Sequence, residues 1–206
     1  MKKVSMPYSV VVLMLLVIMN ACAGSTKLIA TWKDKKYDAG TVNSILIVGL
    51  TKDAAARKLY EETFSNRFNR AGVNAVSSLS LIPPEKEMNK DTIKSAAVAE
   101  SMKAVLVTHL AGSGKKEVYQ PGPTGPSRSA RYFGNYIPSV YSSSYSMGAY
   151  KKQEFVKLIS NLYETSTEKL IWTGVSESID PESDKSIIET LVGKVIEDLH
   201  KNNLIK

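Results

Sequence analysis

The residue types that most often perform catalysis or hold a metal are scarce in this chain of 206 residues. It has one cysteine, Cys22, and two histidines, His109 and His200. Two histidines without paired ligand spacing do not make a zinc site, so we expect no metal and no other cofactor. His109 follows Thr108, which suggests a base beside a nucleophile. We favour the simpler interpretation, a polar residue at the end of a strand.

Two further patterns resemble chemical sites only in part. The stretch "GSGKK", residues 112–116, is similar to a phosphate-binding loop, but that motif needs glycine where His109 stands and serine or threonine where Lys116 stands. Asp53, Glu61 and Glu62 lie at or near the start of a predicted helix, where acidic side chains favour the helix dipole. Neither pattern predicts catalysis, so the sequence leaves enzymatic activity open but does not favour it.

The N-terminus has the layout of a secretory signal. Lys2 and Lys3 precede ten unbroken apolar residues, 10–19, and small residues follow. A membrane-spanning helix needs about 20 apolar residues, so this run is too short for one. We therefore expect residues 1–21 to be a signal peptide.

Cys22 stands where a signal peptidase would cut, as in the lipobox of bacterial lipoproteins. Ala21 fits that box well, whereas Met19 replaces the usual leucine. Acylation, palmitate included, would consume a thiol that is a liability outside the cytoplasm. By resemblance to enteric sorting rules, Ala23 indicates the outer membrane, facing the periplasm. The alternatives are an ordinary signal peptide with an incidental cysteine, or an uncleaved anchor.

The rest of the chain predicts one α/β domain. Residues 22–43 form a lipidated tether and entry segment, with room for a short edge strand where Leu28, Ala30 and Trp32 alternate with polar neighbours. From residue 44 the pattern is strand, helix, strand, helix, strand, which implies parallel strands with right-handed crossovers. The three predicted strands are 44–50, 73–78 and 104–110.

An antiparallel hairpin and a terminal helix complete the domain. Residues 153–165 and 168–178 are two strands joined by a polar turn, and the segment from Ser183 onward is strongly amphipathic. We predict a mixed five-stranded sheet in the order 2-1-3-4-5, with helices on its faces, spanning residues 44–206. Trp172 is expected in the core and Trp32 at the domain edge.

An insert at about 111–151 departs from this pattern. It is rich in Tyr, Gly, Pro and Ser, and it has no acidic residue between Glu117 and Glu154. Such a segment is either a solvated, mobile insert or a recognition surface in which tyrosines supply amphipathic contact area; the two fit together if it orders on binding. The candidate partner-binding residues are Tyr119, Arg128, Arg131, Tyr132, Tyr136, Tyr141 and Tyr145.

The charge balance is mildly basic. The formal charge is +7, and it is +5 without Lys2 and Lys3. This favours anionic surfaces but does not by itself indicate nucleic acid, so we expect no nucleic-acid partner.

Several motifs resemble a family of uncharacterised bacterial envelope lipoproteins. They are "TWKDKKYDAG" soon after Cys22, the run from 44 to 78, "KAVLVTHLAG", and "NLYETSTEKLIWTGVSES" followed by the terminal helix. "KLIWTG", residues 169–174, is the most specific of them. The family has no assigned activity, so the resemblance implies an envelope location and no catalytic residues.

Together these observations favour a non-enzymatic, lipid-anchored envelope protein. Its membrane contact would be the lipidated Cys22, and its partner an envelope protein, peptidoglycan or an anionic polysaccharide. The alternative is an envelope hydrolase or transferase with a site near His109. A deep cleft in which His109 meets a carboxylate would favour the enzyme, and a filled core would favour binding.

Overall fold

A computed structural model describes residues 25–37, 40–83, 86–120 and 149–206. The predicted signal peptide, Cys22 and residues 121–148 of the insert lie outside these ranges. The elements in chain order are β1 (Ser25–Lys33), β2 (Ser44–Leu50), α1 (Ala54–Arg70), β3 (Asn74–Ser77), a 3₁₀ turn (Ser78–Ser80), α2 (Lys90–Ala99), β4 (Ala104–Gln120), β5 (Ala149–Glu164), β6 (Leu170–Ile179) and α3 (Asp184–Lys201).

The strands form one mixed sheet in the order β1-β6-β5-β4-β2-β3. β2 pairs in parallel with β3 and β4, whereas β4–β5, β5–β6 and β6–β1 are antiparallel. The α/β class and the predicted order of five strands are confirmed. The count of five is wrong, because the alternating segment after Cys22 adds β1 at the edge beside β6.

Helices α1 and α3 cover one face of the sheet, called here the buried face. Each begins at a capping side chain: Asp53 accepts from the backbone of Ala55 and Ala56, and Ser183 and Ser186 form a capping box. The helices pack on each other and on aliphatic side chains of β2, β4 and β5. This layer is the main hydrophobic core.

Trp172 is fully buried in that core, as predicted. Its indole Nε1 donates to Asp198 Oδ2 of α3 at 2.7 Å, so its one polar group is satisfied. The ring also explains the glycine of "KLIWTG", because a Cβ on Gly174 would lie 2.5 Å from the Trp172 ring. Trp32, by contrast, is half exposed on the edge strand.

Of the described elements, the short helix α2 is the one helix on the opposite face. Ala97 of that helix packs near Leu46, Val48 and Val105 in a second, smaller cluster. Across β5, β6 and β1 the side chains of this face are half exposed rather than buried.

Two strands are longer than the sequence indicates. β4 continues past Leu110 to Gln120, and β5 begins at Ala149, so the two margins of the predicted insert are paired strands. β6 ends at Ile179, opposite Phe155, and Phe155 pairs with Gly114. Beyond that row, among the described residues, β4 and β5 have no strand neighbour except each other, although Glu154 still exchanges hydrogen bonds with Asp180, just after β6. We call Lys115–Gln120 together with Ala149–Glu154 the arm.

Candidate functional site

A crevice opens at the carboxyl end of β2, beside residues 108–110 in the middle of β4. The chain continues from β2 to β3 and from β4 to β5, in opposite directions along the sheet. In open α/β sheets ligands bind at this position. The crevice has a volume of about 240 Å³ and lies between the starts of α1 and α3. Its polar lining includes Asp53, Tyr60, Thr108 and Asp184, and most of the remaining lining is aliphatic.

Two hydroxyl groups of the crevice, those of Tyr60 and Thr108, are bonded to each other and to the neighbouring Ser160. Tyr60 Oη lies 2.6 Å from Thr108 Oγ1, which lies 2.7 Å from Ser160 Oγ. All three residues are buried, and burial raises the pKa of the Tyr60 hydroxyl far above its ordinary value. Tyr60 therefore stays protonated at neutral pH, and the chain of hydroxyls acts as a structural link between α1, β4 and β5.

Thr108 and His109 do not act as a base–nucleophile pair. The Thr108 side chain points into the buried face, where it meets Tyr60 and Ser160. Successive side chains of a strand point to opposite faces, so His109 points to the α2 side of the sheet. Within the described ranges the His109 side chain makes no hydrogen bond or ion pair. His109 lines the same crevice as Asp53 and Asp184, but neither carboxylate is bonded to it.

Glu61 is the most heavily bonded acid of the described chain and is fully buried. Arg57 Nε, Gly49 N and Ser78 Oγ donate to its Oε1 at 2.9, 3.0 and 2.7 Å. Its Oε2 accepts from Ser77 Oγ and the backbone of Leu79. The expectation that Glu61 serves the helix dipole is thus wrong. The hydrogen bonds of Glu61 link α1 to the ends of β2 and β3. They occupy both carboxylate oxygens, so no lone pair of Glu61 is available to a substrate.

A second concavity, of about 330 Å³, lies beside α2 on the other face. Its charged residues Lys90, Lys94 and Glu168 pair with one another. Hydrogen bonds from the two lysines lower the pKa of the Glu168 carboxyl to about 2. The lining also includes Glu164, so its two lysines and two glutamates carry no net formal charge.

The arm presents a different surface. On one side, cross-strand pairs follow each other outward: Lys115 with Glu154 at 2.9 Å, Lys152 with Glu117 at 3.9 Å, then Tyr119 with Tyr150. The tyrosine ring centroids are 5.4 Å apart. Tyr119 is 53% exposed and Tyr150 71% exposed, so the pair contributes little to any core.

The structure locates only one of the predicted partner-binding residues. Tyr119 lies near the tip of the arm; Arg128, Arg131, Tyr132, Tyr136, Tyr141 and Tyr145 fall outside the described residues, as does Cys22. Tyr150 is not among the predicted binding residues, and its pairing with Tyr119 adds it as a candidate. The sequence could have indicated this pair, because the two tyrosines stand close to the two ends of the insert.

Neither a metal cluster nor a spanning helix is found in the part of the chain that the structure describes. No group of three or more His, Cys, Asp or Glu side chains there could hold a metal ion. No helix among those residues is long and apolar enough to cross a membrane.

The fold is thus a mixed α/β domain with a filled core and an exposed aromatic arm. No protein-family model matches the chain, and no curated protein matches it either. Several solved structures are similar. The PelC dodecamer from Paraburkholderia phytofirmans has 13% identity and a TM-score of 0.45, over 85% of this chain and 96% of that chain.

Two other similar structures have bacterial sources. Lipoprotein GNA1162 from Neisseria meningitidis has 16% identity and a TM-score of 0.41, over 77% of this chain and 98% of that chain. A neuraminyllactose-binding hemagglutinin homologue from Helicobacter pylori has 12% identity and a TM-score of 0.36, over 85% of this chain and 92% of that chain. Because every TM-score here is below 0.5, the function proposed next rests on this chain's own residues.

Proposed function

We propose that this chain is a lipid-anchored protein of the bacterial cell envelope, acylated at Cys22, that binds a partner through its arm and catalyses no reaction. The observation that carries the binding role is the exposed Tyr119–Tyr150 pair, side by side at the tip of a two-stranded projection. Large exposed aromatic side chains offer contact area at a low entropic cost. The core does not need these two rings, so their position fits recognition.

The charges around the pair favour an anionic partner. Between Glu117 and Glu154 the sequence has no acid, while Arg128, Arg131, Lys151 and Lys152 are basic. Arginine and lysine pair with phosphate and carboxylate groups. This composition suits an anionic envelope surface or polymer, or an acidic protein, and Ala23 after Cys22 favours the outer membrane.

Binding rather than catalysis is supported by the hydrogen bonds of the polar groups in and beside the crevice. The Tyr60, Thr108 and Ser160 hydroxyls are bonded to each other, and Glu61 is saturated by donors. His109 lies on the opposite face from Thr108. The serine hydroxyls of Ser77 and Ser78 do donate to the Glu61 carboxylate, but that carboxylate is also held by Arg57 and by backbone donors, which suits a structural role.

The anchor is tested by Cys22→Ser. We expect the variant to lose labelled palmitate and to leave the membrane fraction after a high-salt wash, because the described residues contain no spanning helix. The melting temperature of the domain should stay unchanged, since β1 begins only at Ser25. Retention of the unlabelled variant in washed membranes would contradict acylation as the anchor.

The arm is tested by placing a photo-crosslinking amino acid at Tyr150 in growing cells. The matched control is the same residue at Lys194, an exposed position on α3. We expect an adduct at position 150, whether to protein, polymer or lipid, and none at position 194. Equal labelling at both positions, or labelling only at 194, would place the binding surface elsewhere.

A further inference from the structure

The lipid anchor and the arm belong to the same end of the sheet. β1 begins at Ser25, three residues after Cys22. Ser25 pairs with Ile179, Ile179 with Phe155, and Phe155 with Gly114, so these residues form one row across β1, β6, β5 and β4. β1 therefore starts at this row, at one edge of the sheet, and the arm extends beyond the same row from β4 and β5.

The segment between Cys22 and the row is shorter than the arm. Three residues, even fully extended, span about 11 Å, so Ser25 lies within that distance of Cys22. The arm has six residues in each strand beyond the row, and at about 3.4 Å per residue it is roughly 20 Å long. Tyr119 and Tyr150 stand five residues beyond the row, at roughly 17 Å. The tyrosine pair therefore reaches farther from the domain than the anchored cysteine can.

We propose that the partner of the arm is the membrane itself: the Tyr119–Tyr150 pair enters the interfacial layer of the phospholipid leaflet that holds the lipidated Cys22. This inference rests on the proposed acylation of Cys22. It deepens the proposed function, because the anionic surface bound by the arm is then the bilayer beside the anchor.

The chemistry of the arm suits an interface and not the hydrocarbon core. Tyrosine is enriched at the membrane–water boundary, where its ring is buried and its hydroxyl stays hydrated. In the part of the chain that the structure describes, the arm has two strands, and backbone groups on its outer edges beyond Glu154 lack a strand partner that hydrocarbon would require. The tyrosines can enter the headgroup layer, while the ion pairs of Lys115 and Lys152 remain at its aqueous side.

The lysines of the arm add attraction to an anionic leaflet. Lys115, Lys116, Lys151 and Lys152 each lie within 4 Å of an acid, but exposed pairs of this kind hold together weakly. Near an anionic surface a lysine contributes about 1 kcal/mol. Phosphate groups therefore compete with the acidic partners of these ammonium groups, which are Glu154, Glu177, Asp180 and Glu117.

A folded protein fits poorly between the domain and the membrane. The distance from the row to the membrane surface at Cys22 is at most about 11 Å, whereas a protein domain of 100 residues has a radius of gyration of about 13 Å. A protein partner would have to lift the domain farther from the bilayer than the three residues after Cys22 permit. The lipid surface needs no such space.

The test measures how deeply the arm sits in the bilayer. The mature, lipidated chain carries no free thiol once Cys22 is acylated, so Ala149→Cys provides a single site for a spin label at the tip. The protein is reconstituted into vesicles of phosphatidylethanolamine and phosphatidylglycerol. Collisions of the label with oxygen and with a water-soluble nickel chelate then report its depth. Lys35→Cys, beyond the opposite end of β1, is the control position.

We expect the label at 149 to be shielded from the nickel chelate and to lie within roughly 10 Å of the phosphate level, with the label at 35 fully aqueous. Adding Tyr119→Ser and Tyr150→Ser should restore nickel collisions at 149. Trp32→Ser, which removes an exposed aromatic ring near the other end of the sheet, should leave them unchanged.

The outcomes separate the two proposals. The membrane contact is overturned if the nickel chelate reaches labels at 149 and 35 equally, in protein that mass spectrometry shows to be acylated and that floats with the vesicles. That result leaves the proposed acylation of Cys22 unaffected. Shielding at 149 that appears only after peptidoglycan fragments are added also overturns it, in favour of a polymer. An unacylated Cys22 overturns both proposals.

Discussion

The two halves of β4 differ in their strand neighbours and in the burial of their side chains. From Ala104 to Thr108 the strand has a neighbour on each side, β2 and β5, and most of its side chains are buried. From Lys115 to Gln120 it pairs only with β5, and its side chains are exposed or half exposed. One continuous strand thus passes from the centre of the core into solvent. The inner half builds the domain, and the outer half is free to contact something else.

The energies of the two halves differ for the same reason. Burial of apolar surface contributes about 25 cal/mol per Å², and the inner half contributes Leu106 to the main core. The outer half has the exposed pairs Lys115–Glu154 and Glu117–Lys152, and such pairs add about 0–1 kcal/mol each. Substitutions at the core end should therefore unfold the protein, whereas substitutions in the arm should not.

The largest effect is expected at Trp172, which shares a row of the sheet with Leu162 and Leu106. We expect Trp172→Ala to lower the free energy of unfolding by about 3–5 kcal/mol, the usual cost of deleting a buried large aromatic side chain. Chemical denaturation measures this. Trp32→Ala on the exposed edge is the matched control, with a change within about 0.5 kcal/mol. Similar losses for both tryptophans would contradict the division into core and surface.

A smaller loss is expected when the buried Glu61 becomes neutral. Glu61→Gln keeps the shape of the side chain but replaces one acceptor oxygen by a donor, and it leaves the Arg57 guanidinium without its ion pair. We expect a loss of about 2–3 kcal/mol, since hydrogen bonds to a charged group contribute at this level. Glu62→Gln is the control, because Glu62 is exposed and lies 3.8 Å from Lys58. Equal melting midpoints for the two variants would show that Glu61 is not a structural anchor.

Much of the sheet was predictable from local patterns, because apolar runs and turn residues mark β2, β3, β5 and β6 directly. The alternation of strands and helices, followed by a hairpin, was enough to give their order. The outer part of β4 was not predictable, because "AGSGKKEVYQ" has neither an apolar run nor a clear alternation. Its strand conformation depends on β5, which lies far away in the sequence.

Glu61 was missed for a related reason. In sequence it stands beside Glu62, and both acids look alike on a predicted helix. Only the packing of α1 on the sheet separates them, since it buries Glu61 under Gly49 and Ser78 and leaves Glu62 in solvent. A buried carboxylate is recognisable once its donors are assembled, and those donors come from β2, α1 and the 3₁₀ turn.

Replacing residues 121–148 tests whether the fold needs the segment between the two strands of the arm. The replacement starts after Gln120 and ends before Ala149, because those two residues pair. A seven-residue Gly-Ser linker is a quarter as long as these 28 residues, so loop closure alone predicts a gain of about 1 kcal/mol. Thermal melting checks this. A clear loss of stability would mean that residues 121–148 belong to the core.

The smallest effect on folding is expected at the tip of the arm, in the double variant Tyr119→Ser and Tyr150→Ser. A cross-strand aromatic pair contributes roughly 0.2–1 kcal/mol, and these rings are more than half exposed. We therefore expect the free energy of unfolding to change by less than about 1 kcal/mol. Leu106→Ala, in the inner half of the same strand, should cost about 2–5 kcal/mol because it opens a cavity in the core. If the double variant costs as much as Leu106→Ala, the arm is part of the cooperative fold. The crosslink at the tip is measured with the photo-reactive residue at Ala149. If the double variant keeps its stability but loses this crosslink, the two halves of β4 have separate roles: the inner half stabilises the domain, and the outer half binds the partner.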